Sequence, residues 1–306
     1  MSEVFIIANP CARRATSAGS SSVEALAAAL RRRARKVAVR WTGGPGEATR
    51  LTAAAVSSGA KTLVVAGGDG TVNEALQSLI GAGVRLAIWP MGTANVLART
   101  LALPTETERA AAAIVEGRTE KIYPGVAIDE RTGARRYFLL MAGVGLDASV
   151  VERVRPGLKR RFGELAFWWS GLAHLVDWRP TPFQVEINGA ISTATFAAIG
   201  RAPRYGGDLA ITPGARLNQP EFEVCLVSSE SRWRYLQLLY DAMRQRLPES
   251  VADFRLVRAS EVSARGDAPV QVDGELIGRL PMSFKVVASP VEIIISAAEA
   301  SSAVRR

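Results

Sequence analysis

The stretch Thr62-Leu63-Val64-Val65-Ala66-Gly67-Gly68-Asp69-Gly70-Thr71-Val72-Asn73-Glu74 decides how this chain is read. Thr62–Ala66 is apolar on both faces, as a central strand of a parallel sheet must be when helices cover both sides. It runs into the cluster Gly67–Thr71. Beyond that cluster Val72, Ala75, Leu76, Leu79 and Ile80 fall at helical spacing and mark one face of a helix. Gly81 and Gly83 end it. Glycines let backbone N–H groups approach a phosphate closely, and a helix N-terminus adds partial positive charge. The same cluster also reads as a tight βα turn with no ligand. Asp69 is badly placed to touch a phosphate directly, but it can hold Mg2+ through water.

The pattern repeats on either side. Val4–Ala8 is an apolar run ending at Asn9-Pro10. Ser20, Ser21 and Ser22 offer caps for a helix whose apolar positions are Val23, Leu26, Ala27 and Leu30. Arg31, Arg32, Arg33, Arg35 and Lys36 crowd its end, where the dipole favours cations. Val37–Trp41 reads as a second strand running into Thr42-Gly43-Gly44-Pro45-Gly46, and Glu47–Ser58 is helical. Leu86–Trp89 is a fourth strand ending at Pro90-Met91-Gly92-Thr93. This alternation predicts a doubly wound parallel sheet, which binds ligands at the carboxyl ends of its strands. Asn9, Thr42, Gly67–Thr71 and Gly92-Thr93 all follow strand ends, so the pattern predicts that they share one edge.

After about residue 122 the character changes. Tyr137–Met141, Phe183–Ile187, Thr193–Ala198, Glu223–Val227 and Val291–Ile295 read as strands. Asn188-Gly189, Gly206-Gly207, Pro213-Gly214 and Asp273-Gly274 read as turns. The expectation is a nucleotide-binding α/β domain over 1–122 and a β-rich, sandwich-like domain over 123–289, with helices near 161–177 and 231–246. Residues from about 290 to 306 are expected to return to the first domain, with a frayed tail after Ala297.

Bulk composition bounds the chemistry. The chain has 306 residues, 48% hydrophobic and 22% charged, which suits two folded domains. The net charge of +9 favours polyanions: nucleic acid, anionic membrane or nucleotide phosphates. Two cysteines, Cys11 and Cys225, make neither a disulfide framework nor a metal cluster. The single histidine, His174, excludes a His-rich zinc site. The N-terminus lacks the features of a signal peptide. No stretch reaches the roughly 18 apolar residues of a membrane span. A cytoplasmic protein with at most peripheral contact to the inner face of the membrane is expected. No aromatic platform interleaves the basic residues, so nucleic acid is not an expected partner.

The Gly67–Glu74 string resembles the signature of the diacylglycerol kinase catalytic family, which includes bacterial lipid kinases, sphingosine kinases and ceramide kinases. Asn9-Pro10 is similar to the family's first nucleotide loop, Thr42 to its nucleotide-contacting threonine, and Pro90–Asn95 to its P-x-G-T-x-N loop. Gly143-Val144-Gly145-Leu146-Asp147-Ala148, Tyr205-Gly206-Gly207 and Val272-Asp273-Gly274-Glu275 resemble motifs of the second domain. The resemblance implies ATP and Mg2+ as cofactors and a lipid presented at a membrane surface as acceptor. It implies that Asn9, Pro10, Thr42, Gly67, Gly68, Asp69, Gly70, Thr71, Asn73, Glu74, Gly92, Thr93 and Asn95 surround the nucleotide, with Asp69 helping to place Mg2+. Glu275, with Asp273 beside it, becomes the carboxylate that orients the lipid hydroxyl and accepts its proton.

Three positions depart from the family pattern. The first loop reads Asn9-Pro10-Cys11-Ala12-Arg13-Arg14 without the usual Ser-Gly pair, which passes phosphate contact to Arg13 or Arg14. Val96 stands where many members carry Asp. Gln219 stands where some bacterial members have an acidic ligand of a structural Mg2+, so no second metal is predicted. Separately, Lys159-Arg160-Arg161 precedes an aromatic stretch with Trp168 and Trp169. It reads either as a membrane-interface helix or as an ordinary packed helix. The acceptor is open among diacylglycerol, ceramide and sphingoid bases. The alternatives are an NAD kinase-like enzyme and a nucleotide-binding regulatory protein with little catalysis. A homodimer formed through edge strands is compatible with the pattern.

Overall fold

Thr62–Gly67 forms a strand buried at every position, inside a six-stranded sheet. This computed structural model describes residues 4–12, 17–33, 36–146, 148–149, 180–204, 209–248 and 250–296. The chain divides into two compact units, Met1–Ile122 with Ser289–Arg306, and Tyr123–Ala288.

The first unit runs β1 (Val4–Ala8), α1 (Ser17–Arg32), β2 (Val37–Trp41), α2 (Glu47–Ser57), β3 (Thr62–Gly67), α3 (Asp69–Leu76), β4 (Arg85–Pro90), α4 (Val96–Thr100), α5 (Thr107–Glu116) and β5 (Arg118–Ile122). The last strand among the described residues, β19 (Val291–Ile295), joins this sheet, whose order is β2-β1-β3-β4-β19-β5. All neighbours from β2 to β19 are parallel, and only β5 is antiparallel. Ala8 lies opposite both Trp41 and Ala66, and Gly67 lies opposite Pro90. The residues that follow β1, β2, β3 and β4 therefore leave the sheet along one edge.

On one face α1 and α5 bury Leu26, Leu30, Ala111 and Ile114 against Val64, Ala66 and Trp89. Leu63 and Val65 point to the other face and are buried too. There α2 and α3 pack on each other and contact β1 and β3. The basic end of α1 ties the first face together, because Arg32 and Arg33 both pair with Glu108 of α5.

Two helix boundaries differ from expectation. Helix α1 starts at Ser17, so Ser20–Ser22 lie inside it instead of capping it. Gly19 and the serines favour helix little, but the Trp89 indole N–H donates to Ser22 Oγ at 3.1 Å and ties this turn to β4. Regular helix in α3 ends at Leu76. The N–H groups of Gln77, Ser78 and Leu79 bond only three residues back, to Glu74, Ala75 and Leu76. That tighter turn still carries Leu79 into the core before Gly81 reverses the chain at φ 74°.

The second unit contains β6 (Gly125–Asp129), β7 (Arg135–Phe138), β8 (Met141–Gly145), β9 (Phe183–Ile187), β10 (Ala190–Ala194), β11 (Phe196–Gly200) and β12 (Phe222–Val227). Helix α6 (Arg232–Met243) follows, then β13 (Ser250–Val251), β14 (Phe254–Ala259), β15 (Glu261–Arg265), β16 (Pro269–Val272), β17 (Glu275–Arg279) and β18 (Met282–Val286). They build two antiparallel sheets, ordered β10-β9-β15-β18-β6-β7 and β13-β14-β12-β11-β8-β16-β17. Phe138, Val144, Phe183, Ile199, Phe222 and Phe284 belong to one shared core. At Asn188-Gly189 both residues have positive φ, 51° and 78°, the geometry a tight hairpin requires.

Two expected strands are each broken in two. Tyr137–Met141 splits because β7 and β8 belong to different sheets, and the bend at Leu139-Leu140 is held from outside by Asp273. Thr193–Ala198 splits at Thr195 for the same topological reason. Thr195 donates its N–H to the Val227 carbonyl at 2.8 Å and its hydroxyl to the Ser229 carbonyl at 2.8 Å. Strands that change sheets at a corner keep a continuous β-like sequence through the break. Arg13 and Arg14, the expected helix near 161–177 with Lys159, Arg160, Arg161, Trp168 and Trp169, Asp147, and Gly206-Gly207 lie outside the described residues. Among the described residues no helix is long and apolar enough to cross a membrane.

Candidate active site

In the first unit the edge formed by β1, β2, β3 and β4 is built from four loops that hold one another. After β1, Asn9 donates its N–H to the Ala66 carbonyl at 2.9 Å. Its side chain bridges two loops: Nδ2 donates to Thr71 Oγ1 at 2.9 Å, and Oδ1 accepts the Cys11 N–H at 2.8 Å. Pro10 and Cys11 are exposed. After β2, the buried Thr42 donates its N–H to Ala8 at 2.9 Å. The Glu47 carboxylate accepts the Gly43 N–H and closes the Thr42–Gly46 loop. That backbone hydrogen bond, with Arg50 alongside, holds the Glu47 carboxyl below the usual range.

The loops after β3 and β4 lie back to back. A Cβ on Gly92 would sit 2.6 Å from the Gly68 Cα, and one on Gly67 would sit 2.7 Å from the Thr71 side chain. Only glycine permits this approach. Asn95, in the left-handed region at φ 46°, folds its own loop by accepting the Gly92 N–H and donating to the Gly92 carbonyl, both at 2.9 Å. Thr93 is exposed at the tip, and Gly70 is exposed with open space around its Cα.

Asp69 opens α3, and its carboxylate faces the start of α4. Its oxygens accept the N–H groups of Val96 at 3.0 Å and Leu97 at 3.1 Å. Burial pushes this carboxyl above the ordinary aspartate range, against the pull of those two N–H groups. Glu74 ties α3 to α2 by accepting the Ala48 N–H at 3.2 Å and the Thr49 hydroxyl at 2.8 Å, the latter on its carbonyl. Asn73 is buried and accepts from Gln77. Asn9, Thr71, Gly68, Gly92, Asn95 and Asp69 thus form one connected set. Glu74 faces the α2 packing behind it, and Asn73 bonds Gln77 one turn along the same stretch. The exposed backbone at the start of α3 can receive an anion.

Metal ligation at this edge is sparse. Among the described residues no group of three or more His, Cys, Asp or Glu side chains is arranged to hold a metal ion. Asp69 keeps lone pairs beyond its two N–H bonds. That suits contact through water with a Mg2+ carried on nucleotide phosphates.

In the second unit, β16 and β17 meet at Asp273-Gly274, with φ 47° and 82°. The Asp273 carboxylate accepts three backbone N–H groups, from Leu139 at 2.8 Å, Leu140 at 2.9 Å and Met141 at 3.0 Å. Gly274 donates to the side chain of the buried Gln271 at 2.7 Å. Asp273 therefore pins the turn that presents Glu275, an exposed carboxylate paired with Arg136 of β7. Leu276 beside it is a half-open apolar surface. In the same unit, the loop for which the sequence predicts no second Mg2+ turns its carbonyls onto the buried Arg201, whose own backbone N–H donates to the Leu140 carbonyl at 2.8 Å. This guanidinium donates to Leu217 at 2.8 Å, Gln219 at 2.6 Å and Tyr123 at 2.6 Å, and also to Glu221.

Sequence reasoning missed Glu47, Arg136 and Arg201. An acidic residue in the first turn of α2 was a usable signal for Glu47. Arg136, second of the pair Arg135-Arg136, and Arg201 have partners far away in sequence, so nothing local marks them.

Comparison with known proteins matches this architecture. The model of the diacylglycerol kinase catalytic domain matches residues 3–127, and that of the YegS C-terminal NAD kinase beta sandwich-like domain matches residues 141–295. A diacylglycerol kinase of Mycobacterium tuberculosis is 32% identical over 259 residues, covering 82% of each chain. One of Bacillus subtilis is 28% identical over 249 residues, covering 78% of this chain and 79% of its own. The crystal structure of a diacylglycerol kinase from Bacillus anthracis shares the fold with a TM-score of 0.72 at 21% identity, over 97% of this chain and 98% of its own. With both family models matched in order and a relative above 30% identity, the chain belongs to the diacylglycerol kinase catalytic family, a family of lipid kinases.

Proposed function

We propose that this protein transfers the γ-phosphate of ATP, with Mg2+, to the hydroxyl of a membrane lipid: diacylglycerol, ceramide or a sphingoid base. The observation that carries the reading is the apposition of Gly68 and Gly92 beside the exposed start of α3. It leaves backbone donors and a helix N-terminus where polyphosphate can lie. Asn9, Pro10, Thr42, Gly67, Gly68, Gly70, Thr71, Thr93 and Asn95 shape that seat. Asn73 and Glu74 support it from behind, and Asp69 holds the α3 and α4 starts together. A Mg2+ ion bound with the nucleotide supplies neutralisation of phosphate charge.

Glu275 is the base of this reading. It orients the acceptor hydroxyl by a hydrogen bond and takes its proton as the oxygen attacks phosphorus. Asp273 acts as a positioning residue through the turn it pins. Leu276 gives the acyl part of an acceptor an apolar contact. The enzyme would work on the cytoplasmic face of the membrane. Phosphoryl transfer is mostly positioning and charge stabilisation, which fits a site assembled from loops locked by backbone hydrogen bonds.

The test is transfer of labelled γ-phosphate from ATP to a panel of diacylglycerol, ceramide, sphingosine and NAD+ in mixed micelles. Label in one lipid supports the proposal. Label in NAD+ alone replaces it with an NAD kinase-like activity. One observation favours a second reading, a nucleotide-binding regulator: Glu275 is engaged by Arg136. Nucleotide binding with no label in any acceptor would establish that reading instead.

A further inference from the structure

Helix α6 turns Tyr235, Leu238 and Ala242 inward. Its outward side is not the polar face that such a helix normally shows to water. Trp233, Tyr240 and Arg244 fall on one line down the helix, with Met243 beside them. Trp233 is 80% exposed, Met243 63% and Tyr240 56%. The described residues hold seven exposed large hydrophobics, and these three lie on this one helix. A fourth, Val251, lies in β13, two residues before Asp253. Asp253 is tied to α6 by the Arg234 guanidinium at 2.9 Å.

The charge around this patch is mainly positive, with one exposed carboxylate, Glu230, just before the helix. Arg232, Arg244 and Arg246 are exposed at its ends. The Arg244 guanidinium lies 5.3 Å over the Tyr240 ring and donates to its hydroxyl at 2.8 Å. Asp253 is engaged inward by Arg234, and Asp241 is half-buried.

We propose that the outer face of α6, with Val251, docks on an anionic lipid surface. Trp233, Tyr240 and Met243 would enter the headgroup boundary, with Arg232, Arg244 and Arg246 on the lipid charges. Trp and Tyr favour that boundary because each is amphipathic. Arginines beside them add attraction to anionic lipid. A second copy of the chain fits less well. Two-fold pairing of this face on itself would bring like-charged arginines together. The inference rests on the lipid-acceptor reading only for why the protein needs a membrane.

The experiment is flotation of the full chain with vesicles of equal parts phosphatidylcholine and phosphatidylglycerol, and with phosphatidylcholine alone. Transfer to a short-chain diacylglycerol dissolved as monomer is measured in parallel. Wild type is expected to float with the anionic vesicles. Trp233→Ser with Tyr240→Ser, and separately Arg244→Gln with Arg246→Gln, are each expected to cut partitioning by about tenfold and leave monomer phosphorylation unchanged. Unchanged partitioning in both variants overturns the docking surface while leaving the kinase reading intact. Lost partitioning with no phosphorylation of any acceptor by wild type upholds the surface and sinks the kinase reading. A wild-type dimer that becomes monomeric in the variants, without vesicle binding, reassigns the face to self-association and overturns the proposal.

Discussion

Asp69 accepts the Val96 N–H at 3.0 Å, so the carboxylate that opens α3 also closes the start of α4. The neighbouring Leu97 N–H goes to the same carboxylate at 3.1 Å. One side chain therefore fixes the spacing of the two glycine loops. Replacing such a cap costs about 0.5–2 kcal/mol. Asp69→Ala is expected to lose about that much in urea unfolding and to weaken ATP binding at least tenfold by calorimetry. Asp69→Asn keeps one acceptor and should lose less stability.

The same carboxyl gives a pH signature. Its pKa is raised by burial, so the native state holds the proton to a higher pH than the unfolded chain does. Stability from this group is therefore lost as pH rises from the ordinary aspartate range through the raised value. Asp69→Asn cannot titrate. Its deficit relative to wild type should be larger below that window than at neutral pH. Urea melts on both sides of the window check this, and a deficit independent of pH would contradict it.

Gly92 and Gly70 should behave in opposite ways. A methyl on Gly92 meets the Gly68 backbone at 2.6 Å and the Asn95 side chain at 2.8 Å. Gly92→Ala is expected to force the loops apart and abolish measurable ATP binding. A methyl on Gly70 meets nothing within 4 Å, and Gly70 lies inside α3. Gly70→Ala should stabilise the protein by about 0.5–1 kcal/mol. Any loss of nucleotide affinity in that variant measures how closely phosphate approaches its backbone.

Much of the first unit was legible because its parallel strands are short, apolar and punctuated, whereas β5, Arg118–Ile122, is mostly charged or polar and carries no such signal. Val4–Ala8, Val37–Trp41 and Val291–Ile295 have the boundaries that the sequence predicts. Their register then places Asn9, Thr42, Gly68 and Gly92 on one edge. The second unit was less legible. Leu139-Leu140 and Thr195 look like strand interiors, and only long-range partners, Asp273 for the first and Ser229 and Tyr235 for the second, turn them into corners. The motif carrying Asp273 was visible, but its hydrogen bonds to residues 139–141 were not.

Arg201 ties four carbonyls of the second unit together at a single point. Its side chain is wholly buried and donates to the carbonyls of Tyr123, Leu217, Gln219 and Glu221. Arg201→Met leaves those carbonyls without this donor, and losses of about 3 kcal/mol or more are expected. Arg201→Lys should fall between, because an ammonium has fewer donors and no planar fork. Thermal unfolding of the two variants orders them.

The two cysteines report on different parts of the molecule. Cys11 is exposed on the loop held by Asn9, whereas Cys225 is buried in β12, where burial pushes its thiol up. A thiol-reactive dye should label one cysteine per native chain and both after denaturation. Saturating ATP should slow labelling of Cys11 several-fold if the Asn9 loop borders the nucleotide.

The most direct test of the central claim is single-turnover transfer of γ-phosphate from ATP to the lipid acceptor by wild type and Glu275→Gln, with ATP affinity measured beside it. The account predicts a transfer rate lower by about 10²–10⁴-fold in the variant, with ATP binding unchanged. Equal rates in the two proteins, or no transfer to any lipid by wild type, would contradict it.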